Sequence, residues 1–272
     1  MSGMHESIKL NEGIYSVRGT WLNHISLFAT RSFIITDKRD SGILVIDTCG
    51  PGSGKIIFDS IKNHGLNPAD ITGIAITHWH KDHTGGLAGL VSLVSAAGGG
   101  PVKVFMHESD AGIFLKQRGE FLKIHPVVKL PVYHKPGKIP AGNKFELVKL
   151  INAADKNPLN DWGVEFIHTP GHTPGHTSFL HRKSMSLFSG CGLSLFGNST
   201  VGIVPVFYDR KAQVESAHKL MEMEFSYLYP AHMNLRNDEI TLEKRIPFKG
   251  RIPFIDRLTG TFPFFRYPSK LK

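Results

Sequence analysis

The sequence is poor in cysteine and has no long apolar run, and each shortage excludes a class of protein. Cys49 and Cys191 are the only two thiols in 272 residues, too few for the disulfide framework of a small secreted domain. No apolar segment is long enough to span a bilayer. The first eleven residues lack the apolar centre of a signal peptide. We therefore expect a cytoplasmic protein without a membrane span.

Acidic residues are almost absent from the C-terminal end of the chain. Residues 244–272 carry eight Lys and Arg side chains against the single acid Asp256, so they hold +7 of the net charge of +9. The rest of the chain is only weakly basic, so we expect no nucleic-acid partner. Residues 241–272 also contain prolines, which disfavour an amphipathic helix. We expect a basic, aromatic arm there that packs on the domain or on a second subunit, which would make a homodimer.

Residues 77–86, THWHKDHTGG, are the part of the chain richest in metal-binding side chains. His78, His80, Asp82 and His83 fall within six positions, and all four can bind a divalent metal such as zinc. A buried strand is predicted before them and a helix after them. Alternation in the extended part directs His78 and His80 the same way, while Asp82 and His83 can turn toward a second point. The pattern predicts a strand-to-helix turn that can supply two adjacent metals.

Strands and helices alternate through the first half of the chain. A buried strand at residues 42–47 ends in the glycine-rich turn 50–54, where Ser53 is expected to cap the next helix. The turn lacks the spacing of a phosphate-binding loop, so we interpret it as a tight connection. Residues 108–143 begin with a short helix and continue irregularly. They are expected either to cover the site and help select substrate, or to form a surface excursion without function.

Further metal-capable residues follow predicted strand ends in the second half. His172 lies in the Pro-Gly-rich loop 168–177, Cys191 follows a predicted hairpin, and His232 follows a short strand. This arrangement suggests two sheets packed face to face with helices outside. His176 is expected to hold the geometry of its loop. Most of the other histidines have no ligand context, although the loops that carry His107 and His134 could reach the site.

Four motifs occur in order: residues 78–83 (HWHKDH), 169–176 (TPGHTPGH), 189–191 (SGC) and 230–232 (PAH). Together they resemble the metallo-β-lactamase superfamily. The resemblance implies an α/β fold, a four-layer αβ/βα sandwich of two mixed sheets with helices outside and a metal site at one edge. The domain would span residues 1–240, with 108–143 as an insertion. By motif position, the resemblance implies one metal on His78, His80 and His172, and a second on Asp82, His83 and His232.

The chain departs from the family pattern at Cys191, where two-metal hydrolases of the superfamily usually have a bridging aspartate. A thiolate is softer than a carboxylate, favours zinc and more often binds one ion. Three outcomes are open: Cys191 binds the second zinc alone, it bridges both ions, or the second site is weak. A buried thiol that binds no metal is the plain alternative. That role is expected for Cys49, which belongs to no motif.

The resemblance implies a zinc-dependent hydrolase with one or two ions per chain. It would use a metal-bound hydroxide on a small ester, lactone or thioester. Asp82 is the expected catalytic residue, because it can orient the water and take its proton. The loop at residues 169–176 is similar to that of glyoxalase II and acyl-homoserine lactonases. The alternative is a weakly active or non-catalytic metal-binding protein that binds an anionic partner through its basic arm.

Overall fold

A computed structural model describes residues 7–19, 30–36, 41–124, 130–151, 157–196, 200–232 and 264–266. The predicted domain boundary at residue 240 lies outside the described residues. The same holds for the predicted arm at residues 241–272, except for the short segment Phe264–Arg266.

The described chain alternates strands with five α-helices. The strands are Ser7–Asn11 (β1), Ile14–Arg18 (β2), Arg31–Thr36 (β3), Ile43–Ile46 (β4), Ile71–Ala75 (β5), Val102–His107 (β6), Glu120–Ile124 (β7), Leu130–His134 (β8), Phe145–Leu150 (β9), Val164–His168 (β10), Thr177–His181 (β11), Ser186–Gly190 (β12), Ser194–Phe196 (β13), Thr200–Gly202 (β14), Val206–Phe207 (β15), Tyr227–Pro230 (β16) and Phe264–Arg266 (β17). The helices are Ser53–Asn63 (α1), Lys81–Thr84 (α2), Leu87–Ala96 (α3), Glu108–Lys116 (α4) and Arg210–Glu222 (α5).

Two mixed sheets organise the molecule, as predicted. The larger has the order β1-β2-β3-β4-β5-β6-β9 and the smaller β10-β11-β12-β16. Strands β1 to β4 pair antiparallel, whereas β4, β5, β6 and β9 pair parallel. In the smaller sheet, β12 pairs parallel with β16 and antiparallel with β11. The carboxyl ends of neighbouring parallel strands lie at one edge of the sheet. The metal-capable residues come after these strand ends in the sequence.

Two apolar layers hold the architecture together. Between the sheets, Phe33 of β3 meets Phe188 of β12 with ring centroids 4.9 Å apart, and both side chains are buried. The other layer packs α1 and α3 on the outer face of the larger sheet. The predicted apolar face of α3 is confirmed, since all four of its residues are buried: Leu87, Leu90, Val91 and Val94. Each such side chain contributes about 1.5–3 kcal/mol through burial.

The glycine-rich turn before α1 is a tight connection between backbones, as interpreted. Gly52, at a φ of 88°, occupies the N-cap position, and Ser53 is the first helical residue. The prediction that Ser53 caps the helix is therefore wrong; the left-handed backbone needs glycine at the cap. A Cβ on Gly54 would lie 2.5 Å from the carbonyl oxygen of Gly86 and from the amide nitrogen of Leu90. The turn thus packs directly beneath the metal-capable segment.

The segment 108–143 is more regular than expected. After α4, strands β7 and β8 form a hairpin, and β15 adds a third strand beside β7. The ribbon is anchored next to the histidine turn, where the amide N–H of Gly137 donates to Thr84 Oγ1 at 2.7 Å. A second ribbon pairs β13, β14 and β17, so the described part of the arm packs on its own chain. None of the helices described here is long and apolar enough to cross a membrane.

Candidate metal centre

Three imidazoles from two loops converge on one point. His78 Nε2 lies 3.1 Å from His80 Nδ1, and His172 Nε2 lies 3.2 Å from each of these atoms. Tetrahedral zinc with nitrogen ligands at about 2.0–2.1 Å would separate those ligands by about 3.3–3.4 Å. The three nitrogen atoms therefore have the spacing of a metal tripod.

Hydrogen bonds on the far sides of the rings direct lone pairs toward that point. The hydroxyl of Thr77 donates to Asp47 Oδ2 at 2.8 Å, so Thr77 Oγ1 accepts from His78 Nδ1 at 3.0 Å. His172 Nδ1 donates to the carbonyl of Val206 at 2.8 Å. Nε2 of each of these two rings is thereby turned toward the shared point. Burial and neighbouring imidazoles lower the pKa of His78 and His80 well below the usual range, which keeps these rings neutral and able to bind a cation.

A second group of ligand atoms lies beside the first. Asp82 Oδ2 is 3.5 Å from His83 Nε2 and 3.4 Å from His232 Nε2. Cys191 Sγ is 3.6 Å from His83 Nε2. The thiol also groups with His78 and His83, all three ligand atoms lying within 4.8 Å of one another. Cys191 thus lies between the two clusters, within reach of a ligand atom from each.

The second group holds its charges as ion pairs. Burial would raise the pKa of the Cys191 thiol, but His232, His172 and His83 lower it well below its usual range. Burial likewise opposes protonation of His232, but Cys191 and Asp82 raise its pKa to about 9. The pKa of Asp82 is held below its usual range by His83 and His232, against the effect of burial. A divalent cation would replace the two imidazole protons in this arrangement.

Asp47 supports both clusters, although no sequence motif indicated it. Its Oδ2 accepts from His83 Nδ1 at 2.7 Å, and its Oδ1 accepts from the amide N–H of Thr77 at 2.8 Å. It thereby turns Nε2 of His83 toward Cys191. A carboxylate behind a metal-binding histidine raises its basicity and fixes its orientation. The position of Asp47 at the end of a buried strand, beside the histidine turn, was the available signal.

Asp110 is a second supporting residue that no sequence motif indicated. It is fully buried on α4 and accepts from the amide N–H groups of Trp79 at 3.2 Å and Gly175 at 2.6 Å. The Thr173 hydroxyl also donates to it, at 2.7 Å. Burial raises its pKa to about 7. Asp110 joins the turn that carries His78 and His80 to the loop that carries His172.

The remaining candidates fall into supporting or remote positions. His176 holds its loop as expected: its Nε2 accepts from the amide N–H of Cys191 at 3.0 Å, and its Nδ1 lies 2.8 Å from Thr169 Oγ1. His134 reaches the site, because its ring stacks on His80 with centroids 4.3 Å apart. His107 does not reach it and stacks on His168 instead.

Cys49 behaves as the packed thiol that was expected. It is fully buried, and its thiol donates to the carbonyl of Thr30 at 3.4 Å. Burial raises its pKa to about 12. Cys49 belongs to none of the metal-capable groups found among the described residues.

A family model for the metallo-beta-lactamase superfamily matches residues 26–232, well over half of the chain. The chain belongs to this superfamily. The predicted family and fold are thereby confirmed. Curated relatives include a hydroxyacylglutathione hydrolase from Shewanella oneidensis, 29% identical over 111 residues, which cover 39% of this chain and 38% of that protein. An atrochrysone carboxyl ACP thioesterase from Aspergillus terreus is 23% identical over 227 residues, covering 82% of this chain and 55% of that protein. The chain thus spans about half, or less, of the length of these relatives.

Solved structures share the fold at low identity. The MIM-2 metallo-beta-lactamase superimposes with a TM-score of 0.57 at 18% identity, covering 86% of this chain and 79% of the other. TTHA1623, solved in a di-iron-bound form, gives 0.51 at 22% identity and covers 79% and 91%. The superfamily and the named relatives agree with the predicted enzyme class, a hydrolase. The superfamily and the ligand clusters agree with the binding of divalent metal.

Proposed function

We propose that this protein is a zinc-dependent hydrolase of thioesters, with esters and lactones as the wider substrate class. The observation that carries the proposal is the pair of adjacent clusters whose ligand atoms converge. His78, His80 and His172 would hold one ion. Asp82, His83, His232 and Cys191 would hold a second, and a thiolate in this set favours zinc over harder cations. The thioester preference is supported by the relatives named as a hydroxyacylglutathione hydrolase and ACP thioesterases.

Exposure indicates from which side the substrate approaches. The side chains of Asp82 and His232 are 20% and 23% exposed, whereas that of His83 is fully buried. Zinc bound at this site would supply Lewis acidity, which polarises a carbonyl and acidifies water. Asp82 is the one carboxylate among the metal-capable groups of the described chain, so it is assigned to orient the water and accept its proton. Water adds to the acyl carbon, the carbon–sulfur bond breaks, and the thiol leaves with a proton.

The ligand geometry also suggests a role for Cys191. Its sulfur lies 3.6 Å from His83 Nε2, a separation typical of two ligands on one zinc, with Zn–S near 2.3 Å. We assign Cys191 to the second ion, on the side that faces the first. The alternative, a weakly active binding protein that uses its basic arm, rests on residues 241–272, most of which lie outside the described part.

The experiment measures metal content and hydrolysis on the same samples. Purified protein should contain one to two zinc ions per chain and cleave a thioester such as S-lactoylglutathione. Activity should be lost on chelation and return with zinc. A metal-loaded sample that cleaves nothing in a panel of thioesters, esters, lactones and a β-lactam would exclude the hydrolase. Cys191→Ala should lose the second ion and retain the first. Cys49→Ala, the matched control, should retain both, and full occupancy in both variants would show that Cys191 is not a ligand.

A further inference from the structure

A groove with aromatic and cationic walls lies on the outer face of the β15-β7-β8 ribbon. It encloses about 560 Å³ between this ribbon and the start of α5. Its walls include the aromatic residues Phe121, Phe207 and Tyr208 and the cations Lys123, Arg210 and Lys211. None of these residues belongs to the metal-capable groups of the described chain.

The ribbon separates this groove from the metal centre. Phe207 pairs in register with Lys123, and Phe121 lies two residues away on the same face. Side chains alternate along a strand, so Leu122 points the other way, and it is buried in the core. His134, paired with Glu120, is on that inner face and stacks on His80. The groove and the metal centre therefore occupy opposite faces of one three-stranded ribbon.

The cations of the groove are only partly neutralised. Arg210 is half-buried over the Phe207 ring, 5.9 Å from its centroid, and donates to the neutral amide oxygen of Gln213 at 3.0 Å. Burial lowers its pKa. Among the described residues, neither Arg210 nor Lys123 has a carboxylate within 4.0 Å. A partly desolvated guanidinium without a counter-charge is costly, and an anionic ligand relieves that cost.

The acidic residues nearby are already engaged. Asp209 Oδ1 caps α5 by accepting from the amide N–H groups of Lys211 at 2.9 Å and Ala212 at 3.2 Å. Glu215 pairs with Lys211 at 3.9 Å, and both side chains are exposed. The groove thus keeps a net positive charge around Arg210 and Lys123.

The aromatic side chains add a stacking surface. Phe121 is 68% exposed and Tyr208 is 53% exposed, unusual for large apolar rings. Exposed rings beside cations bind ligands that combine a planar ring with an anion, because each part meets its complement. Guanidinium matches phosphate geometry better than an ammonium does. We infer that the groove binds a nucleoside phosphate, free or as the handle of a larger molecule, at a site separate from the metal centre.

The test titrates ADP into the full chain and measures binding by calorimetry. One site per chain should be seen in both zinc-loaded and chelated samples, because the groove uses no metal ligand. Inorganic phosphate should bind much more weakly, since it cannot stack. Coenzyme A is titrated in parallel. Binding at least as tight as that of ADP would indicate that the nucleoside phosphate is part of a larger ligand, and weaker binding would indicate that the ligand is a free nucleotide.

Two variants locate the site, with a third as control. Arg210→Gln should weaken ADP binding about tenfold. Phe121→Ala should also raise the Kd for ADP about tenfold, because the stacking contact is lost. Phe121 is largely exposed, so its variant should keep the parent unfolding curve. Lys62→Gln removes a cation that lies 5.1 Å from the Phe58 ring on α1, and should leave binding unchanged. Absence of ADP binding, its loss on chelation, or equal affinity in all three variants would overturn the inference.

Discussion

Asp110 illustrates how much of this site depends on one side chain that touches no candidate ligand. Its two oxygens accept three hydrogen bonds from residues on two loops, and the whole side chain is buried. Above the Asp110 pKa of about 7 the acceptor is a carboxylate, and such charge-assisted hydrogen bonds are roughly twice as strong as neutral ones. The relative position of His78, His80 and His172 is therefore fixed partly by a carboxylate on a neighbouring helix.

We expect Asp110→Asn to loosen this connection. An amide group would present N–H donors toward N–H donors and leave buried groups unpaired, at a cost of about 1–3 kcal/mol in unfolding free energy. Zinc affinity of the first cluster should fall about tenfold, the lower end of the effect of removing a group that hydrogen-bonds a metal ligand, because Asp110 acts through neighbouring residues. Denaturant unfolding and zinc titration with a competing chelator measure the two effects.

Asp209→Asn is the matched control for this change. Asp209 also accepts from two backbone N–H groups, but at an exposed helix cap where asparagine serves equally well. Asp209→Asn should leave both the unfolding free energy and the zinc affinity nearly unchanged. If the Asp110→Asn protein is less stable but binds zinc with normal affinity, then Asp110 stabilises the fold and does not position the zinc ligands.

The sequence made the histidine clusters predictable, but not the carboxylates behind them. Spacing within residues 78–83 indicates ligands directly, because few structural roles require that pattern. Asp110 follows Glu108 in the first turn of a helix, where acidic residues are ordinary. Asp110 acts through its contact with the loop around Gly175, which lies far along the chain. No local sequence pattern predicts such a contact.

At the scale of elements, two glycine-rich turns pack backbone against backbone under the candidate metal centre. The amide N–H groups of Gly85 and Gly86 donate to the carbonyl of Cys49 at 2.9 and 3.2 Å. Gly54, in the first turn of α1, lies against Gly86 and α3 with no room for a Cβ. The position of the histidine turn is set by this contact between backbones.

Gly54→Ala should therefore destabilise the protein, although alanine favours helices. The added methyl must displace backbone atoms, and such overpacking costs about 1–3 kcal/mol. Gly89→Ala is the matched control, because Gly89 is also helical but has nothing within 4 Å of its Cβ position. It should stabilise by about 0.5–1 kcal/mol. Thermal unfolding should show opposite shifts in Tm; equal shifts would refute the packing argument.

Helices and strands were predictable where the hydrophobic periodicity of the sequence is strong. They were less predictable where a strand pairs with residues far away along the chain. The apolar period of α3 and the buried strands β4 and β5 follow from local pattern alone. The hairpin of β7 and β8 was expected to be irregular because prolines interrupt it. It is completed by β15, a strand of two residues some eighty positions later, which local sequence does not indicate.

For the whole molecule, the decisive feature is that the candidate ligands come from both sheets. His78, His80, Asp82 and His83 follow β5 of the larger sheet, whereas His172, Cys191 and His232 follow strands β10, β12 and β16 of the smaller one. Metal binding would cross-link the two halves of the sandwich. Binding energy at such a site adds directly to the stability of the folded state.

Zinc should consequently raise the Tm, by an amount that grows with pH. At zinc concentrations about 1000 times Kd, the gain is about 4 kcal/mol, or about 10 °C in Tm for a domain of this size. The folded pKa of His232, about 9, exceeds its usual 6.5. Its protonated form therefore stabilises the metal-free protein below pH 6.5, and this contribution is lost as pH rises through 9.

Metal binding must also displace that proton, so the zinc affinity should rise over the same interval. The difference in Tm between zinc-loaded and chelated protein should increase from pH 6.5 to pH 9. Thermal scans of both samples across this range provide the measurement. A difference that stays constant with pH would contradict the ion pairing of His232 with Cys191 and Asp82.

The order of the candidate ligands along the chain has a consequence for biosynthesis. The first four appear by residue 83, but the last, His232, is made nearly 150 residues later. Domains fold as the chain emerges, N-terminal parts first. During translation, the candidate ligands of the larger sheet are therefore present before those of the smaller sheet have been made. The full set of candidate ligands is present only after His232 has left the ribosome, so metal loading of the proposed centre would be a late step in the maturation of the protein.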